Sequence, residues 1–132
     1  MTHKALTLSN IVLFGLSDSL TFELERVLTQ ELGAKVYIHR SAPGQYSPNL
    51  LKSLHADAVF CTADPDCWHP LLEAMRLQQI NLPVIVVSRA ADTTQWLGAL
   101  EAGAQDYCAP PFEAVQIRWI LEAAATPRRS VA

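Results

Sequence analysis

The sequence predicts an α/β three-layer sandwich, a parallel five-stranded sheet with helices on both faces. Three observations carry this. Short runs of β-branched and apolar residues alternate with longer stretches of helical periodicity along the whole chain. Val84-Ile85-Val86-Val87 is apolar throughout, as strands covered on both sides are, and Ile11-Val12-Leu13-Phe14 reads the same way. Gly, Pro and Ser punctuate the alternation where turns are needed. Right-handed crossovers then leave 2-1-3-4-5 as the expected strand order.

The elements follow in order. After the strand at 11–14, Leu20, Leu24, Val27, Leu28 and Leu32 recur at threes and fours as one helix face, which Gly33 closes. Lys35 to His39 is a partly alternating strand, suited to an edge. Residues 40–49, rich in Ser, Pro and Gly, form a loop, followed by a short helix over Leu50 to His55. Ala58 to Cys61 make the third strand. A helix starting near Trp68 carries Leu71, Leu72, Met75 and Leu77 to Gln79. Pro83 opens the fourth strand, and Asp92 to Ala102 is a helix ended by Gly103. Gln105 to Ala109 is the fifth strand. Pro110 and Pro111 separate it from a last helix, Glu113 to Ala125.

A length of 132 residues implies one domain with a sizeable core, over residues 1–126, with 127–132 as a tail or the start of a linker. Half the residues are apolar and 17% are charged, a globular composition. The net charge of −3 argues against direct nucleic-acid binding, and Arg128 and Arg129 are the only clustered arginines. No apolar run is long enough to span a bilayer, and residues 1–10 are no secretory signal, so the expected location is the cytoplasm. Of the three cysteines, Cys61 and Cys108 fall in apolar strands and are expected as buried free thiols. Cys67 falls in a loop or at a helix start. A structural disulfide is not expected in a reducing compartment.

In such a sheet, chemistry gathers at the C-terminal ends of the strands. Gly15-Leu16-Ser17-Asp18-Ser19 follows the first strand. Asp18 is placed to cap the next helix, Ser17 and Ser19 are equally good caps, and the run lacks the GxGxxG spacing of a dinucleotide loop. Thr62, Ala63, Asp64, Pro65, Asp66 and Cys67 follow the third strand, Ser88 and Arg89 the fourth, Pro110 and Pro111 the fifth. Phosphoryl transfer needs a nucleophilic carboxylate, an acidic cluster for a cation and a positive group. Thr62 has no base beside it and Arg89 is the only cation at the rim, so no catalytic residue is assigned. Asp64, Asp66, Cys67 and His69 mix hard and soft donors and match no zinc spacing. They read as a solvated loop whose Asp66 caps the following helix, with no metal and no cofactor.

One segment is more specific than the pattern. LPVIVVSRAADTTQWLGALEAGAQDYCAPPF, residues 82–112, and within it ALEAGAQDY at 99–107, resemble the receiver (response-regulator) domains of two-component signalling. The alternation of elements matches over residues 8–125. The resemblance implies a flavodoxin-like (βα)5 fold. It also assigns roles by position. The phosphoacceptor, five residues after the aspartate that opens the third strand, falls on Thr62 when counted from Asp57. The acidic pair that holds magnesium falls on Gly15 and Leu16, or on Leu16 and Ser17. The hydroxyl residue falls on Ser88, the lysine on Pro110, and the proline usually joined by a cis bond on Pro111. The aromatic switch falls on Tyr107. Acceptor, acidic pair and lysine are absent together. Asp64 is two extended residues further on, several ångströms away. The resemblance thus implies a degenerate receiver that works without phosphorylation and is not an enzyme.

Receivers commonly dimerise or dock effectors through the face made here by residues 92–102, 105–109 and 113–125. Leu97 and Leu100 are expected in the buried stripe, with Trp96 at its edge or outside. Ile117 and Leu121 face the sheet, which turns Trp119 outward, about 200° from Ile117. Trp96, Tyr107 and Trp119 then form a candidate hot spot. Trp68 is expected to pack locally over the acidic loop, and Arg118 with Glu122 to pair on a helix surface. The expected function is regulation by protein–protein interaction or homodimerisation, in signal transduction or transcription control, with a regulatory protein or fused output domain as a further partner. Two alternatives are a small-ligand or metal sensor using the altered pocket around Leu16, Thr62 and Ser88, and a conventional phosphoacceptor at Asp64.

Overall fold

A computed structural model of the chain describes residues 10–39, 55–89 and 93–125. The loop expected at 40–49, residues 50–54 of the short second helix, Asp92 and the tail from 126 lie outside the described residues. His55 itself stands in a turn with a positive φ.

The sheet is parallel, with strand order β2-β1-β3-β4-β5, as expected. Its strands are β1 (Asn10–Phe14), β2 (Lys35–His39), β3 (Ala58–Thr62), β4 (Val84–Val87) and β5 (Asp106–Cys108). The central β3 and β4 are buried almost throughout, while β2 and β5 are the edges and are partly exposed. Asp57 opens β3 at the opposite end from the rim. Its carboxylate accepts the Asn10 N–H at 2.9 Å and its own N–H donates to Asn10 O at 2.7 Å, which pins the start of β3 to β1.

The helices among the described residues are α1 (Asp18–Arg26), α2 (Pro65–Leu77), α3 (Thr93–Ala102) and α4 (Ala114–Ala125). They lie over two separate cores. One joins Leu16, Leu20 and Leu24 of the α1 side with Ile117 and Leu121 of α4; the other joins Trp68, Leu71 and Met75 of α2 with Ala99 of α3. Each strand supplies alternate residues to the two cores, as the period of two requires: Ile11 and Leu13 to one, Val12 and Phe14 to the other.

α1 does not run regularly to its end. Val27–Glu31 form a π-helical turn in which the Leu32 N–H reaches back to Val27 O at 3.2 Å, and Ala34 N–H bonds Leu28 O at 2.9 Å. The wider turn brings Leu32 and Ala34 back to the core that Leu28 already faces, and Gly33, at φ +72°, makes the exit a side chain would strain.

Of the helix starts, that of α1 takes one of the caps expected and that of α2 differs from expectation. Ser17 is the cap of α1, its Oγ accepting the Leu20 N–H, and Asp18 is already the first helical residue. α2 begins at Pro65, not near Trp68, and its cap is Asp64, whose Oδ1 accepts the Asp66 N–H at 3.0 Å. Asp66 sits inside the first turn, where its charge still favours the helix dipole. Proline at the start of a helix loses no intrahelical bond, which lets α2 begin that early.

α3 is rotated relative to the expected stripe. Leu97 is 52% exposed, whereas Trp96 and Leu100 pack against the core around fully buried Ala99. α4 follows the expected pattern: Ile117 and Leu121 are buried and Trp119 is 66% exposed. Arg118 and Glu122 pair on its surface at 3.6 Å, both half in water, a contact worth little in stability.

Candidate functional site: the strand-end rim

The parallel register aligns the strand ends. Phe14 pairs with Cys61, Thr62 with Val87, and Val87 with Cys108, so the chain leaves the sheet at Gly15, Thr62, Ser88 and the Pro110–Pro111 segment along one edge. Between these exits lies an open cavity of about 310 Å³, walled by Ser17, Leu20, Thr62, Ala63, Asp64, Val87, Ser88 and Arg89.

Of the rim positions singled out in the sequence, Ser17, Thr62 and Ser88 line this cavity. Leu16 does not belong to the pocket expected around it. It is 8% exposed and packs in the core shared by Leu20, Phe112 and Ile117, because the chain turns inward after Gly15 to start α1. Gly15 has φ +71°, and its N–H donates to His39 O at 3.1 Å. Pro110 and Pro111 are joined by a cis bond, and Pro111 is exposed.

The cavity wall is mixed polar and apolar, and among the described residues Asp64 is its one acid. Arg89 Nη2 is 3.4 Å from Ser17 Oγ, a long contact that joins the exits of β1 and β4 across β3. Thr62 Oγ1 accepts the Asp64 N–H at 3.4 Å. The Asp64 carboxylate contributes negative charge at the cavity wall, although one of its oxygens holds the α2 cap.

Ser88 connects this cavity to the neighbouring face. Its Oγ accepts the indole N–H of Trp96 at 3.2 Å, and the Trp96 ring stacks on Tyr107. Trp96 is therefore a bridge between rim and face, more than the exposed edge residue expected from periodicity. Tyr107 remains 37% exposed on β5. Trp119 lies on α4, which packs against the other core, so it does not join the Trp96–Tyr107 stack.

The four candidate metal ligands of the acidic loop diverge. Asp64 caps α2, Asp66 and His69 are exposed, and Cys67 turns inward into the core of Val12 and Leu71. No group of three His, Cys, Asp or Glu that could hold a metal occurs among the described residues. Trp68 packs locally as expected: it is buried, and its indole N–H donates to Ala63 O at 3.0 Å. All three cysteines are free and buried. Burial pushes the Cys108 thiol up to about 12, with help from the Asp106 carboxylate.

The chain has the receiver-domain fold. A protein described as pilus assembly-related, from Burkholderia pseudomallei, superposes with a TM-score of 0.74 over 95% of both chains at 19% identity. A response regulator receiver domain protein from Clostridium thermocellum gives 0.71 over 89% of this chain and 94% of its own, at 16% identity. An orphan response regulator of H. pylori gives 0.68 over 93% of this chain and all of its own, at 18% identity. No protein-family model and no curated protein sequence matches the chain. No helix of the described residues is long and apolar enough to cross a membrane.

Proposed function

We propose that the chain is a regulatory interaction module with the receiver fold that does not use aspartyl phosphorylation, and that its partner through α3, β5 and α4 is a second copy of itself. The observation that carries the first part is the rim. The position matching the phosphoacceptor is the Thr62 hydroxyl, the position matching the acidic pair is a leucine packed in the core, and the position matching the lysine is Pro110. Among the described residues, a phosphoryl group here would meet the Asp64 carboxylate with Arg89 as the one cation of the cavity wall, and they supply little of the electrostatic stabilisation such chemistry needs. Asp64 as an alternative acceptor is weakened by its work as the α2 cap.

The second part rests on the surface. Leu97 on α3, Tyr107 on β5, and Val115 and Trp119 on α4 are large, apolar or aromatic, and exposed. Such residues are the usual anchors of protein interfaces. The fold's likeness to response regulators supports a place in signal transduction or transcription control, with a cytoplasmic setting and a fused output domain or regulatory protein as a further partner.

Acetyl phosphate with magnesium, followed by intact-mass measurement, tests the first part: no phosphoryl adduct is expected, and a stable adduct that disappears in Asp64→Asn overturns it. Sedimentation of the wild type and of Trp119→Ala tests the second. A dimer that dissociates in the variant is expected; a wild-type monomer, or a dimer unchanged by the substitution, removes this interface.

A small-ligand reading has one observation in its favour. The rim cavity places a guanidinium, a carboxylate and three hydroxyls around about 310 Å³ of open space. A thermal-shift series with small carboxylates and amino acids checks it, and stabilisation lost in Arg89→Ala is the supporting outcome.

A further inference from the structure

We propose that the rim cavity takes a free α-amino acid with a small apolar side chain, bound as the zwitterion; this rests on the small-ligand reading of that cavity. The observation that carries it is a pair of opposite charges left apart on one wall. Thr62 and Val87 are register partners on adjacent strands. Asp64 and Arg89 each stand two residues beyond that pair, and both line the open cavity of about 310 Å³.

The two charges do not neutralise each other. Asp64 Oδ1 accepts the Asp66 N–H at 3.0 Å, and Arg89 Nη2 reaches the Ser17 Oγ at a long 3.4 Å. The ion pairs among the described residues are Arg26 with Glu31, Arg76 with Glu73 and Arg118 with Glu122. Neither Asp64 nor Arg89 has an ionic partner there.

A zwitterion bridges what the protein leaves apart. Its carboxylate accepts from the planar guanidinium of Arg89, a donor fork that matches two carboxylate oxygens. The Ser17 hydroxyl, already beside Arg89, is a further donor. Its ammonium donates to the Asp64 carboxylate, with Thr62 Oγ1 nearby as a second acceptor. Leu20, Ala63 and Val87 supply the apolar part of the wall for the side chain. The volume is at the small end of ligand sites, which suits a small side chain.

The same two charges select against simpler ions. Phosphate would pair with Arg89 but be repelled by Asp64, and magnesium would pair with Asp64 but be repelled by Arg89. An amide or an N-acetyl derivative of the amino acid leaves one protein charge without its partner. Recognition of two charges at once is distinct from phosphoryl chemistry and independent of dimerisation.

Amide chemical shifts of the isotope-labelled full chain are followed during titration with L-alanine, L-valine, their N-acetyl and amide forms, acetate, inorganic phosphate and magnesium chloride. The expected result is saturable shifts at Thr62 to Asp64 and at Ser88 and Arg89 with L-alanine or L-valine. Acetate and the N-acetyl and amide forms should bind roughly tenfold or more weakly, the effect of losing one charged hydrogen bond. Asp64→Asn keeps a good helix cap and should bind the free amino acid no better than its N-acetyl form. Arg89→Gln should bind it no better than its amide. The zwitterion is overturned, with the small-ligand reading intact, if acetate, phosphate or either blocked form binds at the rim as tightly as the free amino acids. It is also overturned if both variants bind the amino acid as the wild type does. If none of the probes shifts the rim amides, the small-ligand reading falls with it.

Discussion

The indole of Trp96 lies against the ring of Tyr107, with centroids 3.9 Å apart and planes inclined by 20°. Such pairs add roughly 0.5–1.5 kcal/mol beyond the area they bury. A double-mutant cycle of Trp96→Ala and Tyr107→Ala, read by urea unfolding, should give a coupling of about 1 kcal/mol. A cycle without coupling would remove the stack as a stabilising contact. Trp96→Phe keeps an aromatic ring but leaves Ser88 without the indole donor, at an expected cost of about 1 kcal/mol.

Gly15 and Gly33 have nearly the same φ, +71° and +72°, yet only Gly15 has a neighbour in the space a Cβ would take. Gly33→Ala should therefore cost only the conformational penalty, about 1 kcal/mol. Gly15→Ala adds the collision with Cys67 Sγ and should cost about 1–2 kcal/mol more. Thermal unfolding of the two variants checks the order. Equal losses would mean that the Cys67 contact gives way freely.

Restoring acid at the rim should have opposite results at two positions. Leu16→Asp places a carboxylate in the core of α1 and α4 and should cost about 3 kcal/mol or more, without creating a magnesium site. Thr62→Asp points into an open cavity and should stay within about 1 kcal/mol of wild type. Urea midpoints with and without magnesium separate these outcomes. Magnesium stabilisation of Leu16→Asp would show that the β1 exit can rearrange.

Cys108 links stability to alkaline pH. Its thiol is raised from 9.0 to about 12 in the fold, so the unfolded chain ionises first and binds fewer protons between those values. Stability from this group is complete below about pH 9 and is lost as pH rises toward 12, by at most about 1.4 kcal/mol per unit. Cys108→Ala should flatten that alkaline fall in urea midpoints measured at about pH 8 and about pH 10.5. An unchanged slope would assign the fall to other groups.

The strands and the helix faces of α1 and α4 were legible because their signals are local: β-branched runs, and Ile117 with Leu121 at a spacing of four. The orientation of α3 was not. Counting apolar residues placed Leu97 inward, but an indole with a buried-side acceptor at Ser88 and a ring partner at Tyr107 outbids a leucine for the inner position. Both partners lie outside α3. The inward turn of Cys67 escaped in the same way, since its neighbour Gly15 comes from the end of β1. At the start of α2, the choice between Asp64 and Asp66 as cap depended on where Pro65 lets the helix begin. Thr62, by contrast, could be placed by counting from Asp57, because β3 carries no bulge between them.

The three tryptophans also give the molecule a built-in set of optical reporters. Trp68 is enclosed beside the Thr62–Asp66 segment, Trp96 is half-covered and stacked, and Trp119 stands in water on the opposite layer. Indole emission moves to longer wavelength as water reaches the ring, so each should emit in its own band. Variants that retain a single tryptophan would report separately on the rim, the edge strand and the outer face of α4. Self-association should disturb the third signal before the first.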